Sequence, residues 1–184
     1  MPSAAPRYSV TAIALHWLMA ALIFTSLGLG FYMADFPLSP SRVRLFNWHK
    51  WLGITILMLA AARLVWRLLH PAPPLPEAQP RWQQRASHIA HWTFYVLFLA
   101  VPLMGWAYSS AAGFPLVYLG LFPLPDWVPR DKALAEALES AHAWLSYGLA
   151  AVVALHIAAA LKHAIVDRDG VLGRMLPWRA ERDL

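Results

Sequence analysis

The chain has 184 residues, is 59% hydrophobic with a mean hydropathy of +0.47, and carries a formal net charge of +5. Its charges cluster between apolar blocks, which excludes an ordinary soluble domain. There are no cysteines, so disulfides, Cys-ligated zinc, iron–sulfur clusters and thioether-linked haem are all excluded.

A bilayer core about 30 Å thick needs roughly 20 apolar residues in a helix. Four stretches meet that length: Thr11 to Met33, Trp48 to Leu69, His88 to Ser110, and Ser140 to Ala164. The first is too long for a cleaved signal peptide and lacks a small-residue cleavage pattern. These stretches predict an all-α fold, an integral membrane antiparallel four-helix bundle. It forms a single unit over residues 1–184, with helices approximately at 11–33, 48–69, 88–110 and 132–164.

Helix 1 ends at "LGLGFYMADFP", where glycines, Asp35 and Pro37 stop it. A short loop with Arg42 and Arg44 leads into helix 2 through "RLFNWHKWLG". The proline-rich linker "RLLHPAPPLPEAQP" is too broken to be helical, and helix 3 carries Pro102 internally, as membrane helices can. Next comes "FPLVYLGLFPLPDWVP", apolar, interrupted by four prolines and too short to span, which places it at the interface. "RDKALAEALESAHAW" then reads as helical, capped by Asp131 and continuous with helix 4 beyond the membrane.

Basic residues are distributed unequally. Ten (Arg7; Arg63, Arg67, Arg81, Arg85; Lys162, Arg168, Arg174, Arg179, Arg182) fall on the side of both termini, against five (Arg42, Arg44, Lys50, Arg130, Lys132) on the other. The positive-inside rule makes the termini cytoplasmic and accounts for the charge without a nucleic-acid partner.

Four histidines lie within or at the mouths of the spans: His16, His49, His142 and His156. Ionisable groups are costly in a membrane and mark function by default, although any one alone can be an ordinary hydrogen-bonded interior histidine. Their depths argue for more. His142 and His156 are fourteen residues apart, about 21 Å of rise, and face nearly the same way. Given alternating helix directions, His142 is level with His49, and His156 with His16. Zinc wants about four ligands per site, but each level offers two histidines and no nearby carboxylate. A haem iron needs only two axial ligands from the protein, so two bis-His b haems fit the two levels.

Arg63 is fourteen residues after His49 and suits a haem propionate, or equally a snorkelling interface position. Gly30 follows His16 by fourteen residues and Gly53 lies one turn after His49; either would let a flat macrocycle approach, or simply serve close helix packing. His88 and His91 open helix 3, where histidines are usually structural, and His70 precedes Pro71 in the linker. Most of the ten tryptophans suit an interfacial belt. Nucleotide-binding and hydrolase signatures are absent from the sequence.

Taken together, "ALHWLMA", "WHKWLGITILMLAAARLVWRLLHPAPP", "SHIAHWTFYVLFLAVPLMGW" and "ESAHAWLSYGLAAVVALHIAAALKHAIVDRDGVLGRMLP" resemble the bacterial cytochrome b561 family, over about Arg7 to Trp178. That resemblance implies two b haems held by four histidines, here His16, His49, His142 and His156. It implies electron transfer between a periplasmic donor and the quinone pool of the inner membrane. Superoxide is the leading donor and ubiquinone the acceptor, since some members resemble superoxide oxidases. Others are membrane-anchor cytochromes for a separate dehydrogenase or hydrogenase, so a redox partner protein is the alternative. Against the implied quinone, His163 and His91 are candidate contacts. The outer basic residues suit a small anion, or else haem propionates or lipid phosphates.

Overall fold

The computed structural model describes residues 7–35, 37, 39–74 and 79–177. Arg179 and Arg182, counted above on the inner side, lie outside the described residues. Four long helices dominate: α1 (Val10–Ala34), α2 (Pro40–Leu69), α3 (Arg81–Ala111) and α4 (Lys132–Lys162). A small antiparallel hairpin, β1 (Leu116–Tyr118) and β2 (Phe122–Leu124), joins α3 to α4. All four helices are long and apolar enough to cross a membrane. The protein is an all-α membrane four-helix bundle in which α1–α2, α2–α3 and α3–α4 pack directly on one another.

Local chemistry sets the helix ends. Ser9 caps α1 by accepting from the Ala12 N–H, and Asp131 caps α4 by accepting from the Leu134 N–H at 2.7 Å. At α2 the expected loop around Arg42 and Arg44 is helical instead. Ser39 accepts from the Arg42 N–H and Pro40 occupies the first turn, so a cap and a pre-set φ begin the helix eight residues before Trp48. Helix α3 likewise starts at Arg81, its first turn closed by Gln83 and Gln84 N–H groups onto the Pro80 carbonyl. Beyond α4, His163–Asp167 forms a π-helical turn that ends at Arg168, whose φ is +51°.

The core is one apolar layer made of Met19 and Ile23 from α1, Ile56 and Ala60 from α2, Phe94, Leu97 and Phe98 from α3, and Leu149 from α4. Each residue lies along its helix between the two histidine depths. The layer therefore separates a His49 end of the bundle from a His16 end. Large side chains such as Phe24, Met58, Val96 and Leu155 point outward, as lipid-facing surfaces require.

Candidate haem sites

At the His49 end, the rings of His49 on α2 and His142 on α4 face one another, with centroids 6.0 Å apart and planes at 89°. Both rings are seated on glycines. A Cβ added to Gly30 of α1 would lie 3.2 Å from His49 Cε1, and one added to Gly105 of α3 would lie 3.0 Å from His142 Cε1. Gly30 thus makes room for the His49 imidazole. Gly53 instead meets Pro102 at ordinary contact distance.

One turn before each seat is a hydrogen-bond partner for the same ring. His142 Nδ1 lies 2.9 Å from the Val101 carbonyl, and His49 Nδ1 lies 3.5 Å from Ser26 Oγ. With no side chain at Gly105, the imidazole lies in the α3 groove and reaches backbone. A ring donating from Nδ1 leaves Nε2 bare, the arrangement typical of metal-ligating histidines.

At the His16 end, His16 on α1 and His156 on α4 have centroids 6.2 Å apart and planes at 64°. A third ring joins them: His91 of α3 is also 6.2 Å from His156, and its Nδ1 is 3.5 Å from Ser87 Oγ. Phe94 packs edge-on to His156 at 5.3 Å. Arg63 of α2 reaches His16 Nδ1 at 3.3 Å.

A spacing rule links the two ends. Each helix places one residue at each level, fourteen positions apart: His16 and Gly30, His49 and Arg63, His91 and Gly105, His142 and His156. Fourteen residues is close to four helical turns, so each pair shares a face. Sequence reasoning missed Gly105 and read His91 as a boundary histidine or a quinone contact, without placing it at the His16 level, although the same interval from His91 to Gly105 signals both.

The other candidates lie elsewhere. His163 Nδ1 is 2.7 Å from Asp169 Oδ2, a carboxylate that also accepts from the Gln79 side chain across the linker. His88 sits on the lipid-facing side of α3 among Ile89, Trp92 and Val96. His70 stacks on Trp66 at 3.9 Å, just after the end of α2.

The basic residues of the His49 end mostly have partners. Lys50 Nζ donates to the Pro115 carbonyl at 2.9 Å and to Ser109 Oγ at 3.4 Å, tying α2 to the end of α3. Arg42 lies over the Phe46 ring, Arg44 donates to Ser41 Oγ, Arg130 pairs with Asp126 and Lys132 with Glu136.

The residues present fit b-type haem. A metal–imidazole bond is about 2 Å, so two such bonds and two ring radii place centroids about 6 Å apart. The observed 6.0 and 6.2 Å match that span. Residues 7–178 match the family described as prokaryotic cytochrome b561. The chain is 33% identical over 174 residues to "Cytochrome b561 homolog 2" of Escherichia coli (strain K12), covering 92% of this chain and 91% of the relative. It is 32% identical over 176 residues to "Cytochrome b561 homolog 1" of the same organism, covering 94% and 98%. It is 31% identical over 176 residues to a Yersinia pestis protein named "Probable superoxide oxidase CybB", covering 93% and 96%. With four spans, a profile match along nearly its whole length and relatives aligned end to end, the chain belongs to the prokaryotic cytochrome b561 family of membrane electron-transfer proteins that bind b-type haem.

Proposed function

We propose that this chain holds two b haems, one at each histidine level, and passes electrons from a small donor on the periplasmic side to membrane ubiquinone, with superoxide as the donor. The observation that carries the reading is the pair of facing imidazole couples, 6.0 and 6.2 Å apart, at opposite ends of one bundle. His49 and His142 would hold the outer group and His16 and His156 the inner one. Bound there, haem would supply reversible one-electron exchange, with these four histidines as its protein ligands.

The residues of the chain supply the rest. Gly105 and the Val101 carbonyl seat the His142 ring and engage its Nδ1, which leaves Nε2 as the nitrogen that would ligate. At the inner level an arginine can only donate, so the contact with Arg63 makes His16 Nδ1 an acceptor. If His16 held haem through Nε2, its ring proton would sit on Nδ1, which could not accept from Arg63, and the guanidinium would be available to a propionate. The apolar layer around Phe94 and Leu149 keeps water out between the levels.

The excess of basic residues on the side of the termini supports an inner-membrane chain with both termini in the cytoplasm. Superoxide is supported by the relative whose printed name is a probable superoxide oxidase and by the basic residues at the His49 end, among them Lys50, the next residue along the chain. His163 and His91, both near the cytoplasmic boundary in this orientation, are the candidate quinone contacts.

The test is haem content per chain with a reduced-minus-oxidised spectrum, followed by haem reduction under a superoxide flux in vesicles containing ubiquinone. Two b haems that superoxide reduces and ubiquinone reoxidises support the proposal. One haem or none overturns the ligand assignment. Two haems indifferent to superoxide remove that donor and leave a redox partner protein.

A further inference from the structure

The segment between α3 and α4 does more than close a loop. From Ala111 to Pro125 it contains no charged residue. After α3 ends, the chain turns back along α2. The Trp51 indole N–H donates to the Val117 carbonyl at 2.7 Å, and the Tyr118 hydroxyl meets Thr55 Oγ1 at 2.9 Å. Thr55 donates to the Trp51 carbonyl, so Tyr118 is the donor in its own contact with Thr55. Thus β1 starts beside Lys50, which holds the Pro115 carbonyl, runs along α2 past the Trp51 indole, and its Tyr118 side chain reaches Thr55.

How deep is Thr55? Between Lys50 and Arg63, α2 has twelve uncharged residues, about 18 Å of helix, well short of a hydrocarbon core about 30 Å thick. The core must therefore extend past both charges, whose long stems let them reach out of it. Thr55 lies five residues inside Lys50, about 7 to 8 Å deeper, and the tip of the hairpin lies beyond Tyr118.

The side chains at that tip face outward. Leu119, Leu121 and Phe122 are 50%, 72% and 61% exposed, whereas Leu116, at the start of β1, is buried against the bundle. Backbone polar groups must find partners in lipid. Here the two strands pair with each other, and the turn closes through Gly120 N–H to the Val117 carbonyl and Leu121 N–H to the Tyr118 carbonyl. Pro123, opposite Val117, has no N–H to leave unpaired.

We infer that this hairpin is a lipid-inserted element, its tip seated among the acyl chains of the leaflet on the His49 side. The exposed side chains at its tip are apolar, and no charge within the hairpin bars it from hydrocarbon.

The chain has no cysteine, so single cysteines report unambiguously. A nitroxide would be attached to L121C, to M58C as the lipid-facing reference and to A133C as the water reference, each in haem-loaded protein in phosphatidylcholine vesicles. An unchanged haem spectrum controls for folding. Collision with oxygen is then compared with collision with a water-soluble nickel chelate. The expected oxygen-to-nickel ratio at Leu121 matches Met58 and is roughly tenfold above Ala133, because a polar chelate is excluded from hydrocarbon. A ratio like that of Ala133 overturns the inference in favour of water. Protection from both reagents overturns it in favour of a second protein surface. If L121C does not assemble, L119C gives the same readout at the other side of the turn.

Discussion

Gly105 and His142 are built for each other: the glycine offers no side chain where His142 Cε1 would stand 3.0 Å from a Cβ, and the same ring reaches the Val101 carbonyl one turn below. Gly30 and His49 repeat the arrangement with Ser26 one turn below, at the looser spacings of 3.2 and 3.5 Å. Both rings at the His49 end are thus set by helices other than their own.

The first prediction concerns those seats. Gly105→Ala will displace His142 from the Val101 carbonyl and cost about 1–3 kcal/mol, the usual range for overpacking a filled site. Gly30→Ala will cost less, because its contact is looser. The check is haem retained per chain during thermal unfolding, where Gly105→Ala should release one haem early. Equal behaviour of both variants and the parent chain would show that the seats do not position the ligands.

Ligand variants come next. Alanine at His49 or His142 will remove one haem and leave the other. At the opposite end His156 has two imidazoles at 6.2 Å, His16 and His91. His16→Ala will lose the inner haem, whereas His91→Ala will keep both and alter only reoxidation by quinone. Haem-to-protein ratios decide this directly, and loss of a haem from His91→Ala would exchange the roles of the two rings.

Arg63 should act on potential rather than on haem binding. Its positive charge at the His16 level would favour the reduced, less positive iron, also when the guanidinium is paired with a propionate. Arg63→Gln is expected to lower the inner-haem midpoint potential by roughly 60 mV, a tenfold change for a one-electron couple. Arg63→Lys should recover most of the shift. A redox titration followed at the haem band reads both.

Outside the spans, Asp169 joins the C-terminal segment to the linker before α3. Burial would raise its pKa, but the Val171 N–H, the Gln79 amide and His163 together hold it below the usual 3.8. A carboxyl depressed by folding stabilises above its ordinary pKa and loses that contribution as pH falls through the folded value. Acidification from about pH 5 to about pH 3 should therefore lower the hydrogen-exchange protection factors around residues 163–176, each taken against the intrinsic rate at that pH. Asp169→Asn should exchange faster at pH 5 and respond less to acid; an identical pH response in both chains would remove Asp169 as the cause.

The sequence by itself determined the four spans and the two depths. Apolar length and a fourteen-residue interval are local properties, fixed by the rise and pitch of a single helix. That same interval already pairs His91 with Gly105, but its meaning appears only when α3 is set against α4. The start of α2 at Pro40 was obscured because Arg42 and Arg44 suggest a loop, while the Ser39 cap makes them helical. Only the tertiary structure decided which faces meet: His142 in the groove opened by Gly105, two rings beside His156, and an apolar loop folded down along α2 to Thr55. The physical reason is that spacing along a helix is written in one segment, whereas the rotation of one helix against another is set by packing contributed by all four.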